Sequence, residues 1–130
     1  MCLGNQQRET QVKLELFDKR FAVFEGVETF VVTILTKNGA INLLDDYRKF
    51  LYLKEQAEFL FPENSSVIPY LTEVQMKAKK LWDLSLTRDR EASQGNLVGF
   101  PEITELLGYF GDQAISKRNE IFTSYLRVDC

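Results

Sequence analysis

The chain contains no histidine. That absence removes the Glu-x-x-His ligand sets of di-iron bundles, catalytic triads built on imidazole, the His-based nucleases of helical bundles and most zinc sites. Cysteine is nearly absent as well. Cys2 and Cys130 lie at the two ends of the chain, so no structural disulfide framework is expected and a reducing cytoplasm fits best. The longest near-apolar run, Phe30 to Leu35, falls far short of the roughly 18 residues that cross a bilayer. Met1 to Gln11 is polar, without the apolar core of a signal peptide, and Cys2 is too early for a lipoprotein cleavage site; a soluble, cytoplasmic protein is expected. An excess of positive charge is also missing. The net charge of -3 and pI near 5.1 give no general attraction to phosphate backbones, so nucleic acid is not expected as a partner. Lys77, Lys79, Lys80, Arg88 and Arg90 alternate with acids and read as a solvated helix face.

What remains is the composition of one folded domain. At 130 residues with 45% hydrophobic and 27% charged residues, the chain can bury one core and is too short for two ordinary ones. Only three prolines interrupt it, and its apolar residues recur at helical spacing.

Gln6 to Thr36 holds one glycine and no proline, which predicts one helix about 45 Å long. Leu14, Phe17, Phe21, Phe24, Val31 and Leu35 follow a three-four spacing broken only at Glu28. Leu16, Val23, Val27, Phe30 and Ile34 form a second stripe beside it, with Arg20 in the gap. Together the stripes span about 200° of circumference, twice the arc of an ordinary surface helix, so this helix must touch more than one neighbour. Asn38-Gly39 supplies a C-terminal stop, and Asn42 a cap for a second helix over about Leu43 to Phe61. Its inner face is Leu43, Leu44, Tyr47, Phe50, Leu51, Ala57 and Phe61. Ser65 or Ser66 opens a third helix over about Val67 to Ala92, with Pro69 harmless in the first turn. Ile68, Leu71, Val74, Ala78, Leu81 and Trp82 form its stripe. After the irregular stretch Gly95 to Pro101, a fourth helix over about Glu102 to Leu126 aligns Ile103, Leu106, Leu107, Phe110, Ala114, Ile121 and Tyr125. Short connections make neighbours antiparallel, so the expected fold is all-α, a four-helix up-down bundle over residues 12–127 with a long first helix and a polar arm over residues 1–11.

The segment Lys13-Leu14-Glu15-Leu16-Phe17-Asp18-Lys19-Arg20-Phe21-Ala22-Val23-Phe24-Glu25 resembles the opening of a family of short, uncharacterised bacterial helical proteins. Glu58-Phe59-Leu60-Phe61 leading into Ile68-Pro69-Tyr70-Leu71, and the closing Tyr125-Leu126-Arg127-Val128, resemble it too. The resemblance implies a helical domain beside a membrane, because members often carry one transmembrane segment just before this opening. Residues 1–12 contain no such segment, so membrane proximity rests on the resemblance alone. The family implies no reaction, ligand or cofactor.

No catalytic or metal-ligating constellation stands out. There is no phosphate-binding glycine loop, no nucleophile elbow and no Cys-x-x-Cys. Gly108-Tyr109-Phe110-Gly111 lies within a helical pattern and predicts close packing against a neighbour. Glu9 with Lys13, Glu15 with Lys19 and Glu73 with Lys77 predict surface pairs one turn apart.

The polar residues that do stand out are those inside apolar arcs. Arg20 and Glu28 interrupt helix 1, and Lys54 and Glu58 interrupt helix 2. A hairpin turning near Gly39 to Ala40 sets residue 28 opposite about 52 or 53 and residue 20 opposite about 60 or 61. That register predicts a charged ladder of Arg20, Glu58, Lys54 and Glu28 fixing the seam between the two helices. Tyr52 and Phe59 project from the outer side of helix 2 as candidate partner contacts. The functional expectation is a non-enzymatic interaction or scaffolding module that self-associates or binds a protein partner and needs no cofactor. The alternatives are a bundle holding an apolar small molecule or lipid between its helices, and an enzyme using carboxylates alone.

Overall fold

The computed structural model describes residues 7–37, 43–96 and 101–126. Four helical rods form an all-α bundle, and the described residues contain no strand. Helix α1 runs Gln7–Thr36. The second rod opens as a π turn, Leu43–Tyr47, and continues as α2, Arg48–Leu60. Helix α3 is Val67–Ser93. The fourth rod is α4, Pro101–Gly108, a π segment, Tyr109–Ala114, then α5, Ile115–Phe122, and a closing 3-10 turn, Thr123–Tyr125.

The ends of these rods follow local chemistry. Phe61 is extended at φ -123°, ψ 148°, as the residue before Pro62 must be, because the proline ring disfavours helical backbone in front of it. At the start of α3 the Ser65 Oγ accepts the Val67 N–H at 3.4 Å, while Ser66, at the N-cap position, makes no side-chain cap bond. At the other end Gly95 takes φ +81°. Its N–H reaches the Ala92 carbonyl and the Asn96 N–H reaches the Glu91 carbonyl, the paired closure that a left-handed residue allows. The stop at Asn38-Gly39 and the cap at Asn42 lie outside the described residues, as do the side chains of Leu43 and Leu44.

Neighbouring rods are antiparallel throughout. Arg20 meets Leu60 and Lys37 meets Asp46, which orients α1 against α2. Lys80 pairs with Glu102 while Lys117 reaches Glu73, which orients α3 against the fourth rod. Phe24 packs on Phe122 and Arg20 lies over Tyr125, closing the ring back to α1. The core is continuous through all four rods, with Val27, Val31, Ile34, Phe50, Leu71, Val74, Leu81, Phe110 and Phe122 fully enclosed. The single glycine of α1 lets two rods approach closely, since a Cβ at Gly26 would overlap the Leu53 side chain.

Two expectations need correction. Gly108 and Gly111 are not close-packing sites: both face open space. What they flank and enter is the π segment, whose hydrogen bonds close over five residues instead of four. The wider turn shifts the phase of the buried stripe, which continues as Phe110, Ala114, Arg118 and Phe122 in place of Ile121, which is only half-buried. Burial on α1 also begins later than residue 12. Among the described side chains of α1, none before Val23 is buried, and Arg20 already lies level with the ends of the second and fourth rods. Residues 7–19 therefore overhang the described part of the bundle by about 20 Å at helical rise.

Candidate functional site

The helical wheel of α1 carries two working faces. The inner face, Val23, Val27, Phe30 and Ile34, is buried against the other rods. On the outer stripe Leu14 and Phe21 are 43% and 37% exposed with the half-buried Phe17 between them, and Val32 and Leu35 are exposed further along; on the inner side Val12 is 60% exposed. Phe17 and Phe21 stack with ring centroids 5.8 Å apart, and Phe21 stacks on Phe24 at 5.7 Å. That row of rings runs from the free overhang into the core, where Phe24 meets Phe122. Exposed contiguous apolar surface of this kind marks an interaction face more often than a scattered apolar residue does.

The four charges of the expected ladder do not form one. Among the described residues no ion pair joins Lys54 to Glu28 or Glu58 to Arg20; three of the four are engaged at different seams. The Arg20 Nε donates to the Leu60 carbonyl at 2.8 Å, and its guanidinium lies over the Phe61 ring at 5.2 Å and the Tyr125 ring at 5.3 Å. Burial pulls its pKa below the ordinary value, with Tyr125 acting the other way. Lys54 donates to Gln75 Oε1 at 2.9 Å, and Gln75 donates on to the Tyr47 hydroxyl at 3.1 Å, which ties the second rod to α3. Glu28 turns away from α2 altogether and pairs with Arg118 at 3.3 Å. Glu58 is exposed. The reason is angular. Gly26 and Phe30 point at α2, and Glu28 stands more than a quarter-turn from both, on the flank that meets the fourth rod.

Arg118 is the functional-looking residue that sequence periodicity misses. It is 5% exposed, and its guanidinium sits 3.6 Å from the Phe24 ring centroid. It donates to the Phe24 carbonyl at 3.1 Å, to Glu28 Oε2 at 3.3 Å and to Asn119 Oδ1 at 2.8 Å. A straight α-helix would place residue 118 at the edge of the stripe, and only the π segment rotates it inward. Its planar fork satisfies a carboxylate, a carbonyl and a ring face at once, which an ammonium could not do.

A second polar cluster joins α3 to the π segment. Tyr109 donates to Glu73 Oε2 at 2.8 Å, and the Lys117 Nζ lies 3.3 Å from the same oxygen. Glu73 thus pairs with Lys117 across the bundle, while Lys77, its expected partner, lies over the Tyr109 ring at 4.7 Å. Burial pushes the Glu73 carboxyl up, but hydrogen bonds from Tyr109 and Lys117 and the charges of Lys117 and Lys77 outweigh it, leaving the pKa below the usual range. Burial, together with Glu73, drives the Tyr109 phenol far up. Tyr70, raised chiefly by burial, donates to the Ala114 carbonyl at 2.6 Å. Neighbouring grooves of about 420 and 650 Å³ share Pro69 and Glu73 in their walls. They are open at the surface, not enclosed between the helices.

Tyr52 and Phe59 are 62% and 87% exposed, one heptad apart on the outer side of α2. No family model, curated protein or solved structure matches the chain.

Proposed function

We propose that this chain is a non-enzymatic helical interaction module that assembles by self-association through the outer stripe of α1. The observation that carries the reading is the overhang, where Leu14 and Phe21 are exposed on either side of the half-buried Phe17 and no described side chain is buried. A free helix shorter than about 12–15 residues is marginal in water, and its apolar stripe gains roughly 25 cal/mol for each Å² of apolar surface it buries. Both effects favour a partner on this face. The polar clusters fit the same reading, because each links one rod to another and so stiffens the body from which the overhang projects.

Sedimentation equilibrium across a range of concentrations tests the proposal. The native chain is expected to associate, Phe21→Glu to remain monomeric, and Phe59→Ser on the outer side of α2 to associate as the native chain does. A native chain that stays monomeric throughout, or an association that Phe59→Ser dissolves and Phe21→Glu leaves intact, overturns it.

A further inference from the structure

We infer that the occupant of the α1 stripe is a second copy of this chain, aligned parallel and in register as a short two-stranded coiled coil formed by the overhangs. This rests on the self-association reading and adds to it the orientation and register of the pair. Leu14, Phe17, Phe21, Phe24, Glu28, Val31 and Leu35 are spaced as the alternating three-four seam of a coiled coil. The seam sinks into the chain's own body as it proceeds: Val31 is fully buried and Phe24 lies under Arg118. Its open part is therefore Leu14 and Phe21, with the half-buried Phe17 between them, on the overhang.

The charges that flank the seam choose the orientation. Lys13 and Arg20 occupy the position just before each first core residue, and Asp18 and Glu25 the position just after each second core residue. In a parallel pair, the residue before one heptad faces the residue five places on in the partner. Lys13 then faces Asp18, and Arg20 faces Glu25, base against acid. In every antiparallel register these positions meet their own kind, base facing base and acid facing acid. Lys13, Asp18 and Glu25 are exposed and belong to no ion pair among the described residues. Arg20 already donates to Leu60, so Lys13 with Asp18 is the stronger contact of the two.

With little more than one heptad open, Leu14 to Phe21, association is expected to depend strongly on concentration.

The test uses the full chain with Cys2→Ser and Cys130→Ser as background. Leu14→Cys is expected to form an intermolecular disulfide readily, because aligned seam positions bring the two sulfurs within bonding reach. In an antiparallel pair centred on the Phe17 to Phe21 stretch, the two would stand about 15 Å apart along the axis. Lys13→Glu is expected to weaken association roughly five- to tenfold, since two symmetric attractions become repulsions. Adding Asp18→Lys should restore most of the loss. Circular dichroism and urea midpoints of these exposed variants confirm that the fold is intact. A dimer in which Leu14→Cys does not cross-link, or which Lys13→Glu strengthens, overturns the parallel pairing and leaves self-association standing. A chain that is monomeric at every concentration overturns both.

Discussion

The two halves of α1 share one periodicity, yet they live in different solvents. From Val23 onward, Val23, Val27, Phe30, Val31 and Ile34 are buried. Before Val23 no described side chain of α1 is buried, and Leu14 and Phe21 are exposed. Periodicity thus reports what a helix could bury, and its neighbours decide what it does bury. For the overhang, the missing neighbour is the functional question.

Cutting one ring from the packed body and one from the overhang should break the comparison most visibly. Phe122, which packs on Phe24, Phe61 and Tyr70, belongs to the enclosed side, and Phe122→Ala is expected to cost about 3–5 kcal/mol in urea unfolding. Phe21→Ala at a concentration where the chain is monomeric should cost less than about 1 kcal/mol, because little area returns to water. Equal losses would mean that the overhang is covered in solution by the chain itself.

A smaller effect is expected at the hinge between the halves. Arg118→Ala removes the cation over Phe24 and leaves the Phe24 carbonyl without that donor, at a cost of about 2–3 kcal/mol in the same assay. Glu28, itself more than half exposed, returns to water at little cost, so Glu28→Gln should fall well below Arg118→Ala.

The smallest effect concerns pH. The folded Glu73 carboxyl lies below its ordinary pKa of 4.5, so its contribution is present above that value and is lost as the pH falls through the depressed one. Glu73→Gln should therefore be less stable than the native chain near neutrality, and the gap should close on acidification below about 4.5. A gap that is unchanged down to pH 2 would show that the carboxylate charge contributes nothing to the contact between α3 and the fourth rod.

Much of the scaffold was legible in the chain. The spans of α1 and α3, the extended break at Pro62 and the antiparallel pairing all follow from spacing, caps and short connections, which are local. The hairpin register was legible too, since residue 20 lies level with residue 60. The pairing of charges was not. Glu28 found Arg118 and Glu73 found Lys117, and each partner is distant in sequence. Arg118 itself was hidden because a wheel drawn at a constant 3.6 residues per turn cannot anticipate a π segment, which rotates every later side chain.

By itself, then, the sequence determined an all-helical chain, its breaks, and the breadth of the apolar surface on its first helix, because hydrophobic period and end signals act within a few residues. Only the tertiary structure decided which part of that surface is covered and where each buried charge is neutralised. Those outcomes depend on how far α1 outruns its neighbours and on one wide turn in the fourth rod, and both are properties of the packed rods together, absent from any one of them alone.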